Sequence, residues 1–157
     1  MSTIALRHIL VPTDFSDCST AAVRYGLALA ERFDAHLHLL HAVQSPFDQP
    51  WAAEVYAVSQ ADFEKTAREE SDTQLAKLLA ESGRTAAQVT CVTTIGAPFL
   101  AILTYAKEEP IDLIVMGTHG RGPVAHLLIG SVAENVVRKA PCPVLTVRHP
   151  EHEFIAP

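Results

Sequence analysis

IDLIVMGTHGRGPVAHLLIGSV, residues 111–132, joins an apolar run to a glycine-rich stretch and then to a second apolar segment. Four of the chain's seven glycines lie inside it: Gly117, Gly120, Gly122 and Gly130. Glycine at such density weakens helix and strand alike, because it loses the most backbone freedom on folding. A turn or a ligand must therefore gain from the bare backbone. The run before it, IDLIVM at 111–116, lacks clean alternation, as expected of a strand covered on both faces.

Four more short apolar runs surround this one: His8–Pro12 (HILVP), His36–Val43 (HLHLLHAV), Val89–Ile95 (VTCVTTI) and Val144–Val147 (VLTV). Helical patterns separate them. Ser16 is positioned to cap a helix running to about Arg32, with Ala21, Ala22, Tyr25, Leu29 and Phe33 near one stripe. Ser59–Ser82 is the longest helical stretch, with Leu75, Leu78 and Leu79 apolar and Gly83 closing it. Pro98 suits the first turn of a helix through Lys107, and Pro110 blocks its continuation. Ser131–Ala140 is the last helix, with Arg138 and Lys139 opposing the dipole at its end and Pro141 stopping it.

The order is β-α-β-α-β-α-β-α-β, which predicts an α/β fold: a doubly wound, five-stranded parallel sheet with helices on both faces. In such sheets ligands bind beyond the carboxyl ends of the strands, where the strand order reverses. The first strand ends in Pro12, Thr13 and Asp14; the fourth leads into Gly117, Thr118, His119, Gly120 and Arg121. One ligand touches both clusters if strands one and four are neighbours, which is the order 3-2-1-4-5.

A chain of 157 residues fits one domain, 1–157, with its core at 7–148, a long connection at 44–58 and a tail at 149–157. A net charge of −6 argues against a broad nucleic-acid or membrane surface. Cys18, Cys91 and Cys142 are odd in number and form no C-x-x-C, so they read as free thiols of a reducing compartment. No run approaches the ~18 apolar residues of a membrane span, and the first residues lack a signal-peptide pattern. The expectation is a cytoplasmic protein.

The site chemistry points to a nucleotide. Unpaired N–H groups at the start of the last helix, at Gly130 and Ser131, favour phosphate. Arg121 can pair with a terminal phosphate, and Asp14 can accept from the hydroxyls of a ribose. Each has a plainer reading. The glycines can form only a tight turn, Asp14 can serve only the helix dipole, Arg121 can be a solvated cation, and His119 a surface-turn residue. Gly120-x-Gly122-x-x-Ala125 matches a dinucleotide fingerprint, but no acid follows about 20 residues on and only one strand remains. His36, His38 and His41 lack a Cys, Asp or Glu nearby in sequence to complete a metal set. Cys142, between two prolines, reads as small filler. There is no G-x-S-x-G elbow and no P-loop lysine, so no residue is assigned a catalytic role.

The spacing G-x2-G-x9-G-[ST], here Gly117, Gly120, Gly130 and Ser131, resembles the universal stress protein family. ILVPTDFS near the start and PCPVLTVR near the end join it, so the resemblance runs from about Arg7 to Arg148. It implies a Rossmann-like fold of the adenine nucleotide alpha hydrolase type, usually dimeric, with ATP bound where the glycine pattern is kept. By the matched positions, Pro12, Thr13 and Asp14 would face adenine and ribose. Val43 would offer backbone contacts to adenine, and Met116 and Gly117 would line the pocket. Gly120, Arg121, Gly130, Ser131 and Val132 would meet phosphates, with His119 beside them. ATP is the expected cofactor, with Mg2+ as a candidate companion. The expected partners are an adenine nucleotide and a second copy of the chain, paired through the last strand at 144–147, whose alternative is cover by the tail. The expected role is a nucleotide-dependent stress regulator or sensor. The alternatives are a slow ATPase or self-phosphorylating enzyme, and a nucleotide-independent partner-binding dimer.

Overall fold

The computed structural model describes residues 5–49, 51, 54, 59–119 and 129–148. Five strands form one sheet: β1 (His8–Pro12), β2 (His36–Val43), β3 (Val89–Ile95), β4 (Leu113–Gly117) and β5 (Val144–Val147). Their order is β3-β2-β1-β4-β5 and every pair is parallel. The strand order and the alternation of elements are those expected from the sequence.

The helices begin and end on local signals. Ser16 caps α1 (Asp17–Phe33) by accepting from the Ser19 amide, and Asp34 closes it in the left-handed region at φ 52°. Ser59 caps α2 (Gln60–Glu81) by accepting from the Asp62 amide. Pro98 opens α3 (Pro98–Glu108), where its missing N–H costs nothing. Gly130 precedes α4 (Ser131–Lys139), which carries Arg138 and Lys139 in its last turn. A short 3-10 turn at Pro46–Asp48 follows β2.

Alternate strand residues feed two cores. Ile9, Val11, Leu37, Leu39 and Val115 pack with α1 and with Leu75 of α2 on one face. Leu10, Leu40, Ile114 and Met116 pack with Ile102 and Ala106 of α3 and Ala133 and Val136 of α4 on the other. Cover on both faces is why β1 and β4 read as continuous apolar runs.

Two details differ from the sequence reading. The fourth strand starts at Leu113 rather than Ile111, because the Asp112 carboxylate is used in capping the start of β1: it accepts from the amides of Arg7 (2.7 Å) and His8 (2.9 Å). Phe33, expected in the buried stripe of α1, is 46% exposed. The inward face instead runs through Ala22, Gly26 and Ala30. A Cβ on Gly26 would collide with the Val11 side chain, so small residues let α1 lie close against β1.

The sheet opens at its switch point. β1 pairs with β2 at five positions but with β4 at only two, Ile9–Leu113 and Leu10–Ile114. Successive residues of a parallel strand direct their backbone groups to alternate neighbours. The His8 carbonyl accepts from Asp112 on the β4 side, and the Thr13 amide donates to Leu40 on the β2 side. By that parity position 12 faces β4, and Pro12 has no N–H to give there. The unpaired ends of β1 and β4 leave a crevice.

Candidate functional site

A cavity of about 570 Å³ fills that crevice. Pro12, Thr13 and Asp14 enter it from the end of β1, Val43 from β2, Met116, Gly117 and His119 from β4, and Gly130, Ser131 and Val132 from the start of α4. All of these were singled out from the sequence, and the fold brings them together. Gly120 and Arg121 lie outside the described residues.

The turn after β1 is built on side-chain hydrogen bonds. The Thr13 hydroxyl accepts from the Phe15 amide (3.0 Å) and lies 3.1 Å from the Ser19 hydroxyl. The Ser16 amide donates to Asp14 Oδ1 (3.0 Å), as does the Ser16 hydroxyl. This is an Asx turn, in which the carboxylate substitutes for backbone. Phe15 sits at φ 61°, a left-handed conformation that costs a residue with a Cβ about 1–2 kcal/mol. Strain of this kind collects at ligand sites.

The first turn of α4 also lines the cavity. Helical bonding begins with Glu134 N–H to the Gly130 carbonyl (2.9 Å). Gly130 N–H is itself used, donating to the Thr118 carbonyl at 2.6 Å. No side chain among the described residues caps this helix. Among the described residues the amides of Ser131, Val132 and Ala133 find no acceptor; they lie in the helix's first turn with the positive end of its dipole behind them.

Two of the glycines sit close against other segments. A Cβ on Gly117 would stand 2.8 Å from Cys18 Sγ and 3.0 Å from the Cys18 carbonyl oxygen; one on Gly130 would stand 3.1 Å from the Thr118 carbonyl oxygen. At Gly117 the α1 start passes too close for a Cβ without a shift, and at Gly130 the approach of the Thr118 carbonyl is tight.

Sequence reasoning missed several lining residues: Ser19, Leu40, His41, Ala42, Gln44, Pro98, Ile102 and Ala133. Ala133 borders a motif position, and Thr118, named with the fourth-strand cluster, lines the cavity as well. Leu40, Ala42 and Ile102 make an apolar wall and look like ordinary core in the sequence. Pro98 and Ile102, four apart on α3, carry no signal of their own.

The three histidines of β2 part company. His41 reaches the cavity, its Nδ1 2.7 Å from the Thr13 carbonyl. His36 and His38 project from the other face, near the start of the sheet, beside His8. There His8 Nδ1 lies 3.1 Å from His38 Nε2, His38 Nδ1 lies 2.8 Å from the Tyr105 hydroxyl, and His36 Nε2 lies 2.8 Å from the Thr90 hydroxyl. Burial, then the neighbouring His36 and His8, push His38 down to about 4. Burial, then His8 and Arg84, also lower His36. Among the described residues no three His, Cys, Asp or Glu side chains are arranged to hold a metal ion. Burial, then Asp112, raises the Cys142 thiol, so it is protonated and a poor nucleophile at neutral pH.

Fold and cavity together define a doubly wound parallel α/β protein with an open crevice at its topological switch point. The chain belongs to the universal stress protein family, whose sequence profile matches residues 5–148. It is 32% identical over 151 residues to the universal stress protein MJ0531 of Methanocaldococcus jannaschii, covering 94% of this chain and 85% of that one. The solved structure of the hypothetical protein MJ0577 from the same organism superposes with a TM-score of 0.78 at 28% identity, covering 92% of this chain and 97% of that one. A crystal structure of a universal stress protein in complex with cAMP superposes with a TM-score of 0.59 at 28% identity, covering 92% and 98%. Among the described residues no helix is long and apolar enough to cross a membrane.

Proposed function

We propose that the cavity binds ATP and that the protein is a nucleotide-dependent regulator or sensor in the stress response of the cytoplasm. One observation carries the reading: one cavity is lined both by the Asp14 turn and by the first turn of α4, at Ser131, Val132 and Ala133, which no side chain among the described residues caps. A carboxylate suits ribose hydroxyls and a helix start suits phosphates. The apolar wall of Leu40, Ala42 and Ile102 suits a base between them. The relative complexed with cAMP supports an adenine nucleotide as the ligand class. On this reading Pro12, Thr13, Val43, Met116 and Gly117 surround adenine and sugar. Ser131 and Val132 meet the phosphates, joined by Gly120, Arg121 and His119.

Titration calorimetry with ATP and Mg2+ tests the proposal. The wild type should bind below millimolar ATP, and no heat at millimolar ATP would overturn the reading. Ser131→Asp separates site from fold: an acid at the first helical position favours the helix but repels phosphate. It should bind ATP at least about tenfold more weakly, or about 1.4 kcal/mol, with an unchanged melting temperature. Undiminished binding by that variant would refute the placement of the phosphates.

We also propose that the protein is a homodimer joined through β5. β5 is an edge strand with Leu145 38% exposed, and an apolar edge invites pairing. Analytical ultracentrifugation should find a dimer that Leu145→Glu dissociates; a monomeric wild type at tens of micromolar would end the idea.

A further inference from the structure

The turn that carries Asp14 is braced by a side chain from the neighbouring strand. His41 belongs to β2, which is paired on both sides, with β1 through Pro12–Leu40 and with β3 through His41–Thr93. Its Nδ1 lies 2.7 Å from the Thr13 carbonyl. A carbonyl oxygen only accepts, so Nδ1 carries the proton and the tautomer of the neutral ring is set. The ring also lies against Phe15, with centroids 4.5 Å apart and planes tilted by 44°. His41 therefore grips the residue before Asp14 by a hydrogen bond and the residue after it by ring contact. Phe15 is the residue at φ 61°, a conformation that needs support from its surroundings.

We propose that His41 is a positioning residue of the nucleotide site: it anchors the left-handed turn to the rigid middle of the sheet and so sets where the Asp14 carboxylate meets the sugar. The inference rests on the nucleotide reading above. On that basis the protonated Nδ1 acts, and it acts through Thr13 and Phe15 rather than on the reacting groups of a ligand.

Three substitutions separate this role from packing and from direct ligand contact. His41→Leu keeps bulk and removes both nitrogens. His41→Asn puts an amide N–H where Nδ1 stands; His41→Gln puts one where Nε2 stands. ATP and 2′-deoxy-ATP binding are measured for each by calorimetry, with circular dichroism to confirm folding. The wild type should prefer ATP. His41→Leu should bind ATP roughly tenfold more weakly, the scale of one lost hydrogen bond, and should lose the preference for the ribose. His41→Asn should recover most of both, and His41→Gln neither. If His41→Leu does not fold, the contrast between the Asn and Gln variants decides.

Wild-type affinity and preference in a folded His41→Leu would overturn the inference and leave the nucleotide reading standing. Rescue by Gln and not by Asn would also overturn it, assigning the effect to direct ligand contact. A wild type that discriminates nothing would break the link to Asp14. A wild type that binds neither nucleotide overturns the nucleotide reading, and this inference with it.

Discussion

Acidification to pH 4 should cost this fold about 3 kcal/mol through His38 alone. The side chain is 5% exposed and both ring nitrogens are engaged, one by His8 and one by the Tyr105 hydroxyl. Either direction of the proton chain suits a neutral ring, whereas a charge on it is disfavoured by burial and then by the neighbouring His36 and His8. The folded group titrates near 4 and the unfolded one near 6.5. Between those values the unfolded chain binds more protons, so stability falls as pH falls. The contribution is complete above about pH 6.5; about 2 kcal/mol is lost by pH 5 and about 3 by pH 4. Urea denaturation followed by circular dichroism, from pH 7.5 to pH 4, measures the slope in the wild type and in His38→Gln. Carboxylates titrating at low pH act on both proteins, so the difference isolates His38. The variant should be less stable at pH 7.5, having lost a buried hydrogen bond, yet decline less steeply. Parallel pH profiles, or a His38 resonance titrating near 6.5 in the folded protein, would refute the reasoning.

Two further substitutions test the packing that shapes the site. Gly117→Ala drives a methyl into Cys18 and should destabilise by about 1–3 kcal/mol. Adding Cys18→Ala should recover only part of that in chemical denaturation, because the Cys18 carbonyl oxygen remains 3.0 Å away; full recovery would show that the thiol alone makes the contact. Leu75→Ala empties a fully buried position between α2 and the sheet and should cost about 2–5 kcal/mol. A loss under 1 kcal/mol in the same assay would mean that α2 does not rely on this anchor.

Much of the fold was legible in the order of residues because the forces that set it act locally. Caps at Ser16 and Ser59, the proline opening α3 and the five apolar runs each act within a few neighbours, and their sequence marks the elements. The expected lengths held to within a residue or two except where a distant partner intervened. Asp112 looks like the start of a strand, yet it serves the amides of Arg7 and His8, more than a hundred positions away. Phe33 fits a helical stripe, but only the close approach of α1 to β1, permitted at Gly26, decides which residues of that helix are covered.

The same division runs through the candidate site. Pro12, Thr13, Asp14, Gly130 and Ser131 could be picked out because turn chemistry and helix-start chemistry need particular residue types at fixed spacing. The sequence by itself determined the elements, their alternation and the polar ends of two strands. Only the tertiary structure decided that Gly117 and Gly130 sit close against Cys18 and Thr118, that His41 braces the Asp14 turn, and that His38 joins a hydrogen-bonded chain elsewhere. Those are contacts between segments far apart along the chain. Their strength depends on distances of a few tenths of an ångström, which come into being only when the sheet closes.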